Sequence, residues 1–563
     1  MKFISNSFPL LILLGFSLFA ILSFFSPGFF IIHDNTQIQR TFEMAKALDD
    51  GMFPVRWVSD LGYGYGYPIF NFYAPLFYYI SGLFTIFGFT ALVSTKITAV
   101  LAILLSSFSM YLLTREFWGK WGAVLSSILY TYAPFHAVDI FVRGDFAELL
   151  AYGFIPLPIL GIYRLYSERS KGLWFWTVFT AITFSAIVIS HNLTALMVAP
   201  FLLVEVVILS IIYFKKEKNF SIHIFYSLFL GLLLSSFYFL PALIELKFTD
   251  VFSVIGGGSD FKDHFVCILQ FWYSPWGFAG SAPGCLDGIS FEIGKFHLAS
   301  VLIGGVGLLF IKRQIKHFFA LLLALLLFIF SIFMMTEYSR VIWEAITPMK
   351  FFQFPWRFLI LSSFTSSFIA GFLIWAIQKK FDKKRSVFIL MIILSIISVI
   401  YYQKFFYPEN ISLDPSSNYT NEKSLKWSTS KISDEYMPSD FPTPTSEEEV
   451  VKEKIVISEG SGKINYLVDK TARLEAMINV SRDSKISINI ASFPAWSLYI
   501  NGKKTKADVV SGKYSLDLKR GEYKILVIFE QTPVEKASNF LSLSGIALLF
   551  AGIITTHRKN NGK

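Results

Sequence analysis

The sequence predicts a polytopic α-helical membrane protein that carries a small β domain outside the membrane, towards its C-terminus. Hydrophobic residues make up 54% of the 563 residues and charged residues only 16%, against about 25% in soluble domains. Lysine and arginine are concentrated in short runs between long apolar stretches, as the positive-inside rule requires. Residues 463–530 alternate between apolar and polar side chains, as strands do. The net charge of +10 therefore reflects membrane topology rather than nucleic-acid binding.

The apolar stretches are long enough for about 12 helical spans, since one crossing needs about 20 mostly apolar residues. The first stretch contains one lysine, and no small-residue cleavage site follows it, which favours an uncleaved span over a signal peptide. The predicted spans are 8–32, 93–114, 121–135, 147–163, 173–190, 194–214, 222–242, 298–311, 318–335, 357–377, 386–404 and 539–556.

Charge placement sets the predicted topology. The basic loops assigned to the cytoplasmic side are 115–120, 164–172, 215–218, 312–317 and 378–385. With the N-terminus also inside, 67–88 and 93–114 cannot both cross. Because 67–88 is rich in aromatic residues and holds two prolines, it is expected to be an interfacial or re-entrant segment. Both termini are then cytoplasmic, and the larger polar loops share the outer face.

This topology divides the chain into five parts. The predicted parts are a membrane module 1–404 with a first outer loop 33–92, a polar linker 405–450, an extracytoplasmic β domain 451–535, a final span 539–556 and a cytoplasmic tail 557–563. The linker is rich in turn-forming residues. In the β domain, Asn501-Gly502 is a strong hairpin signal, and the alternating runs predict a small antiparallel β-sandwich.

Cys267 and Cys285, the two cysteines of the chain, fall in one predicted outer loop. They are either two unpaired thiols or a disulfide, and a shared non-cytoplasmic loop favours the disulfide. Metal binding by this pair is less favoured, because the neighbouring His264 still leaves too few ligands.

The first candidate catalytic residue is Asp34, which stands with His33 where the first apolar stretch ends. An ionisable residue at this depth is expensive to place by accident. Asp34 could simply cap the following helix. That helix carries Ile38, Phe42 and Ala45 on one stripe, so it could lie along the membrane surface and hold a carboxylate that acts as a general base.

Other polar residues collect at the predicted outer ends of spans. Each has a structural alternative, as an ion pair, a helix-end group or an interfacial anchor. Arginine also suits phosphate, because its planar fork matches the phosphate oxygens. The candidates for binding a phosphate-bearing substrate are His33, Arg143, Glu148, His191, Lys350, Gln353 and Arg357.

The stretch from His33 to Phe84, "HDNTQIQRTFEMAKALDDG…YYISGLF", resembles bacterial membrane proteins called 6-pyruvoyl-tetrahydropterin-synthase-related. "FVRGDFAELLA", "SHN" and "FFQFPWRFL" look like further signatures of that family, and "FPAWSLYINGKK" is similar to outer β domains of proteins linked to cell-wall glycosylation. Both groups resemble the C-type (GT-C) glycosyltransferase superfamily. The resemblance implies a GT-C-like membrane module, a polyprenyl-phosphate-linked sugar donor and transfer on the outer face of the bacterial cytoplasmic membrane.

In that superfamily an acidic residue just after the first span is usually essential, and the resemblance assigns this role to Asp34. Asp49, Asp50 and Asp60 are weaker matches. The chain departs from the pattern because no clear Asp-x-Asp or Asp-Glu pair follows the first span. No metal site is therefore predicted; a divalent metal is compatible with the chemistry but not indicated, and no other cofactor is expected.

The favoured hypothesis is an inverting glycosyltransferase that acts on an envelope glycan, lipid or protein acceptor. One alternative is a polysaccharide or lipid transporter or flippase, which would need polar groups near the bilayer midplane. Glu205 and Glu245 are the mild candidates for such groups. Another alternative is a non-catalytic envelope assembly protein on the same scaffold. No Walker, GxSxG or HExxH motif occurs, which argues against a nucleotide-driven pump.

Overall fold

Apolar helices form most of the chain, in the computed structural model that describes residues 2–167, 172–212, 219–251, 257–381 and 384–561. The helices are α1 (Lys2–Ile21), α2 (Gln37–Asp49), α3 (Ile69–Phe72), α4 (Leu76–Ile86), α5 (Ala91–Thr131), α6 (Pro134–Val138), α7 (Phe146–Phe154), α8 (Pro156–Ser167), α9 (Leu173–Ser190), α10 (Asn192–Ile212), α11 (Asn219–Ile244), α12 (Lys295–Leu308), α13 (Ile315–Met335), α14 (Arg340–Ala345), α15 (Leu359–Lys380), α16 (Lys384–Tyr402), α17 (Ser416–Thr420), α18 (Ser430–Ile432) and α19 (Pro533–Asn561).

The many predicted spans are confirmed as helices. Within the described residues, 10 helical segments are long and apolar enough to cross a membrane. One of them contains α5, which breaks at Gly119 (φ 70°, ψ −176°) and so separates the predicted spans 93–114 and 121–135. The span predicted at 298–311 is the shorter helix α12, of 14 residues. Each of the twelve predicted stretches therefore contains a helix, although the first stretch ends in non-helical residues 26–32, which include β1.

Parts of the predicted topology lie outside the described residues. The loop 215–218 does so entirely, and the loops 164–172 and 378–385, the end of the span 194–214 and the end of the tail 557–563 do so in part. The segment 67–88 forms only α3 and α4, of 4 and 11 residues, which are too short to span a bilayer.

Helix α2 follows the first span but does not lie open on a surface, as the sequence had suggested. Most of its residues are buried, including Gln37, Gln39, Arg40 and Glu43. It packs against α4 and α5. Arg40 donates a hydrogen bond to the hydroxyl of Ser433, 3.2 Å away in the predicted linker. A polar helix is therefore enclosed here because neighbouring segments satisfy its side chains.

The β domain is a seven-stranded antiparallel sheet preceded by a separate two-stranded ladder. The strands are β1 (Phe29–Phe30), β2 (Ile411–Ser412), β3 (Ile455–Lys470), β4 (Arg473–Ala491), β5 (Trp496–Ile500), β6 (Lys503–Thr505), β7 (Asp508–Val510), β8 (Lys513–Leu518) and β9 (Gly521–Phe529). The large sheet has the order β6-β5-β9-β4-β8-β7, with β3 also paired to β4.

Strand β4 organises the sheet. The runs "LEAMINV" and "KISINIA", which the sequence presents as two strands, form one continuous strand. Its first half pairs with β9 and its second half with β8, so one long strand joins both sets of neighbours. Asn501 and Gly502 have φ values of 48° and 79°. These values are those of a tight hairpin turn, as the Asn-Gly signal predicts.

The chain before β3 is packed against the first outer loop. Strand β2 pairs with β1, so residues next to the first span contact the start of the predicted linker. Val451 donates to the carbonyl of Tyr63, and Ala491 to that of Tyr65, at 3.0 and 2.9 Å. The β domain and the segment that precedes it thus lie directly on the loop that carries Asp34.

A buried polar network ties this loop to the last helix. Arg56 donates to Asn71 Oδ1 at 2.8 Å and to Asn539 Oδ1 at 2.9 Å, and its Nε lies 3.9 Å from Glu535. Glu245 accepts from Asn71 at 2.8 Å and from the hydroxyl of Thr532. Glu245 is thus a structural partner in this network.

Candidate active site

Asp34 lies directly after the strand that ends the first span. The amides of His33 and Asp34 donate to the carbonyls of Val142 and Arg143 at 3.0 and 2.9 Å. This backbone ladder fixes the chain beside the π-helical turn Asp139–Arg143. Residues about 110 positions apart are thus adjacent at the ends of the helices, as their placement in outer loops predicts.

The Asp34 carboxylate accepts three side-chain hydrogen bonds. Thr36 Oγ1 donates at 2.5 Å, Gln37 Nε2 at 2.8 Å and Arg40 Nη1 at 3.0 Å. Thr36 occupies the N-cap of α2, so Asp34 does not cap that helix backbone. About a quarter of the Asp34 side chain, 26%, remains exposed. The carboxylate is therefore held in a fixed orientation while one side stays accessible.

Beside it lies a buried cluster of two arginines and three carboxylates. Arg143 contacts Asp139 at 2.6 Å, Asp145 at 3.0 Å and Glu148 at 2.9 Å. Arg357 contacts the same Glu148 oxygen at 2.9 Å and lies 3.8 Å from Asp145. Three segments of the chain supply these side chains, and their charges satisfy one another in a site that largely excludes water.

The residues at the start of α7 determine where the carboxylates of Asp145 and Glu148 lie. Gly144 has a φ of 70°, and a Cβ atom there would lie 2.2 Å from the side chain of Ile32, so the close approach of the first span requires glycine. Asp145 then caps α7 by accepting from the amide of Glu148 at 3.0 Å. The spacing of three residues places both carboxylates on one face of the helix.

His191 completes this side of the cluster at the junction of α9 and α10. Its Nε2 lies 3.7 Å from Asp145, and its Nδ1 contacts the hydroxyl of Thr194 at 2.8 Å. Burial lowers the pKa of His191, although Asp145 and Glu148 oppose this, so the ring is neutral at pH 7. Burial raises the pKa of Asp145, but the neighbouring His191, Arg143 and Arg357 outweigh it and hold that pKa below its usual range.

Asp145, Glu148 and His191 could hold a metal ion. One ligand atom from each lies within 4.8 Å of the others. Glu148 Oε1 is buried and has no hydrogen-bond partner, although its other oxygen accepts from two arginines. A carboxylate oxygen left in this way fits a missing cation, and two carboxylates with an imidazole suit a divalent transition metal. The sequence predicted no metal site, because these ligands come from two distant segments.

Tyr73 links Asp34 to the cluster. Burial raises the pKa of Tyr73, and Asp145 and Asp34 raise it further, so its ring lies within electrostatic reach of both carboxylates. Arg40 stacks on the same ring, 4.3 Å from its centroid. Gln37 Nε2 also donates to the carbonyl of Gly144 at 2.8 Å while it holds Asp34. The two sets of residues therefore form one site.

Of the other site residues predicted from the sequence, some lie in the cluster and some lie outside it. Arg143, Glu148, His191 and Arg357 meet in the cluster, and Trp356 packs against both arginines. His33 is exposed, and its Nε2 donates to the carbonyl of Phe278 at 2.8 Å. Lys350 is exposed, and Gln353 has a φ of 62° in the turn before Arg357.

Sequence reasoning missed the residues that orient Asp34. Gln37, Arg40 and Tyr78 form this set: Tyr78 donates to Gln37 Oε1 at 2.7 Å, and Gln37 and Arg40 donate to Asp34. The spacing of Asp34, Gln37 and Arg40, three residues at each step, was the available signal, because it puts their side chains together at a helix start. Nothing in the sequence ties Tyr78 to them.

Comparison with known proteins places the chain in a family. Residues 70–407, more than half of the chain, match the family described as "6-pyruvoyl-tetrahydropterin synthase related domain; membrane protein". The chain belongs to this family. The match begins within the segment that forms α3 and ends after α16, so it includes the buried cluster and the helices around it.

A relative from Lactococcus lactis subsp. cremoris (strain MG1363), described as an uncharacterized protein, is 26% identical over 233 residues, which are 40% of this chain and 37% of the relative. Two solved structures are also similar. Arabinofuranosyltransferase AftD from Mycobacteria aligns with a TM-score of 0.42 and 11% identity, over 72% of this chain and 27% of that one. Archaeoglobus fulgidus oligosaccharyltransferase, in complex with Zn and sulfate, aligns with a TM-score of 0.43 and 12% identity, over 78% and 58%. The chain thus spans less than two thirds of each of these proteins.

Proposed function

We propose that this chain is a membrane glycosyltransferase that moves a sugar from a polyprenyl-phosphate donor to an envelope glycan, lipid or protein acceptor. The supporting observation is the ladder that places Asp34 beside the arginine–carboxylate cluster. A partly exposed carboxylate next to a charged, buried site can accept a proton from an incoming hydroxyl while the cluster binds a phosphate.

The proposed step is a single displacement. The acceptor oxygen attacks the anomeric carbon, the bond from that carbon to the phosphate oxygen breaks, and polyprenyl phosphate leaves with the bonding electrons. The hydroxyl proton passes to Asp34. Attack opposite the leaving group inverts the anomeric centre. Thr36, Gln37 and Arg40 orient the carboxylate towards the side that remains open.

The charge of the cluster bears on how it binds phosphate. Three carboxyl groups, of Asp139, Asp145 and Glu148, face the two arginines, and His191 is neutral, so the cluster carries no excess positive charge. A cluster with this charge does not by itself attract a phosphate group. A divalent cation held by Asp145, Glu148 and His191 would add positive charge to the cluster. It would also supply Lewis-acid stabilisation of the leaving phosphate. Arg143 and Arg357 then hold the carboxylates in place and contribute their own positive charge.

The proposed reaction takes place on the outer face of the cytoplasmic membrane, with both chain termini inside. Asp34, the cluster and the β domain would all be extracytoplasmic in this arrangement. The β domain packs on the first outer loop through Tyr63 and Tyr65, so it is suited to position an acceptor beside Asp34.

Turnover of lipid-linked sugars tests the proposal. The full chain in nanodiscs is given a panel of radiolabelled polyprenyl-phosphate sugars, and donor hydrolysis or transfer is measured for the wild type and for Asp34→Asn. Asp49→Asn is the matched control, because it removes an exposed carboxylate at the far end of the same helix. Loss of turnover in Asp34→Asn alone supports the base assignment. A folded Asp34→Asn protein with full activity would exclude it, and no turnover of any donor would contradict the proposed reaction.

A further inference from the structure

A groove separate from the active site opens among the apolar helices. It is lined by side chains of α5, α8, α10, α13 and α15. Some lining residues of α10 and α13 are partly exposed, among them Leu209, Phe319 and Leu323. Val207 and Leu326, their neighbours on these helices, are 58% and 52% exposed. The groove therefore opens towards the surface that meets lipid.

The position of the groove along the helices separates it from the Asp34 site. Glu205, which lines it, follows His191 by about 14 residues of α10, or about 20 Å along an ideal helix. Lys316 lines it at the start of α13, whereas the other end of α13, at Met335, accepts a hydrogen bond from Val266 in the loop between α11 and α12. The donor site and the groove thus lie at different depths.

Glu205 is the unusual member of the lining. Its side chain is buried, with the residue only 7% exposed, and its Oε2 has no hydrogen-bond partner. Within the described part of the chain, no arginine, lysine or histidine forms an ion pair with it. Aromatic residues such as Phe201 and Phe364 line the same groove. A carboxylate among apolar side chains at membrane depth is costly unless a cation or a hydrogen-bond donor accompanies it.

Lys316 gives the groove a charge of the opposite sign. Its Nζ donates to the carbonyl of Glu116 at 2.5 Å and lies 5.2 Å and 4.9 Å from the ring centroids of Phe117 and Tyr163. An ammonium group has three donors, so hydrogen-bonding capacity remains for a ligand. The groove thus combines an apolar lining with one carboxylate and one ammonium group.

We propose that this groove binds a phospholipid whose headgroup carries a primary ammonium group. The ammonium donates to Glu205, the phosphate of the same headgroup faces Lys316, and the acyl chains lie along the apolar lining. Such a lipid supplies the donor that Glu205 Oε2 lacks, through a charge-assisted hydrogen bond. The inference concerns a bound lipid and does not depend on the glycosyltransferase reaction.

Other lipids match the groove less well. A choline headgroup has positive charge but no N–H to donate to Glu205 Oε2. A glycerol headgroup can donate a hydroxyl to Glu205 Oε2, but it brings no positive charge to the carboxylate. A plain polyprenyl chain would fill the apolar space and leave the carboxylate unpaired. Charge complementarity therefore selects the aminophospholipid.

Native mass spectrometry of the full chain tests this selection. The detergent-solubilised protein is titrated with phosphatidylethanolamine, phosphatidylcholine and phosphatidylglycerol of identical acyl chains. Phosphatidylethanolamine is expected to bind most tightly. Glu205→Gln should weaken that binding at least about tenfold, because the amide oxygen that replaces the carboxylate carries no charge to pair with the ammonium. Val207→Ala, an exposed position on the same helix, should leave it unchanged.

Ala320→Phe provides a second variant that fills the groove without changing its charge. It should remove the phosphatidylethanolamine adduct, and it keeps the test decisive if Glu205→Gln does not fold. Equal binding of the three lipids, preference for phosphatidylglycerol, or an adduct that persists in Ala320→Phe would overturn the proposal. So would unchanged binding in a folded Glu205→Gln protein. None of these results affects the turnover assay, so the two proposals fail independently.

Discussion

Arg40 and Asp34 form an ion pair with 3.0 Å between guanidinium nitrogen and carboxylate oxygen, across the start of α2. Arg40 is the more enclosed partner, with 3% of its side chain exposed against 26% for Asp34. Its guanidinium also donates to the hydroxyls of Ser433 and Tyr78 and stacks on the ring of Tyr73. Arg40 thus acts as a positioning residue, fixed by the surrounding segments, for a carboxylate that faces a more open space.

Replacement of Arg40 tests that role. We expect Arg40→Gln to lower kcat by about tenfold or more with little change in KM, because orientation of the base matters mainly in the transition state. Arg40→Lys keeps the charge and should recover part of the loss. Steady-state transfer assays on folded protein provide the measurement. A rise in KM with unchanged kcat would instead place Arg40 in substrate binding.

Removal of metal tests the balance of charge in the cluster. Chelation followed by desalting should reduce transfer by about a hundredfold or more, and added divalent cations should restore it, because the cluster has no excess positive charge of its own to bind a phosphate. Glu148→Gln should weaken metal binding as measured by elemental analysis. Full activity in metal-free protein would leave Arg143 and Arg357 as the phosphate ligands.

Arg56 anchors the first outer loop to α19 through Asn539 and Glu535. We expect Arg56→Gln to destabilise the protein by about 3 kcal/mol, because it leaves a buried carboxylate without its cation. Thermal and denaturant unfolding in detergent would show the loss. Arg520→Gln, at an exposed position of the β domain, serves as the control and should change little. Equal stability of the two variants would contradict the anchoring role.

Cys267 and Cys285 form a disulfide that closes a loop with a sequence separation of 18 residues. Replacement of both by serine should cost about 3 kcal/mol in a chain-entropy treatment of a loop of this size. The same loop supplies the Phe278 carbonyl that accepts from His33. Hydrogen exchange should therefore rise across residues 257–291 while α13 stays protected. Unchanged exchange in the loop would show that its packing alone holds it.

Lys454 makes the contact between the β domain and the first outer loop sensitive to pH. Its Nζ donates to the carbonyls of Ser59 and Gly64 at 2.9 and 2.6 Å. Burial lowers the pKa of Lys454 from 10.5 to about 8, although Asp60 opposes this. Between these values the unfolded chain binds more protons, so stability should rise as pH increases from about 8 to about 10. Thermal midpoints of the wild type and Lys454→Met should therefore diverge over that range, and parallel pH profiles would refute the assignment.

Hydropathy and charge were sufficient to predict the helices. Long apolar runs leave few alternatives, since backbone groups in lipid must be satisfied within the helix. Topology then placed His33, Asp34, Arg143, His191 and Arg357 at the same ends of the spans. Strand alternation and Asn501-Gly502 predicted the sheet for equally local reasons.

Contacts between distant segments could not be predicted in this way. The polar composition of 405–450 indicates a linker, yet Ser433 contacts Arg40, and Asp434 accepts a hydrogen bond from Tyr63 at 2.8 Å. Whether a polar segment faces water or another polar segment depends on tertiary packing, which composition does not encode. The grouping of Asp145 and Glu148 with His191 could not be predicted from the sequence for the same reason. The lack of a partner for Glu205 Oε2 could not be predicted either.

The contacts of the first outer loop also set the order in which the protein can be completed during synthesis. Arg40 donates to Ser433, and Arg56 donates to Asn539, so residues made early contact residues made several hundred positions later. A nascent chain that has inserted its first spans still carries Asp34 without the neighbours that enclose it. Translation must pass α19 before both contacts can form, and a chain interrupted earlier inserts into the membrane with this loop unfinished. The first outer loop therefore reaches its full set of contacts only after α19 has been synthesised.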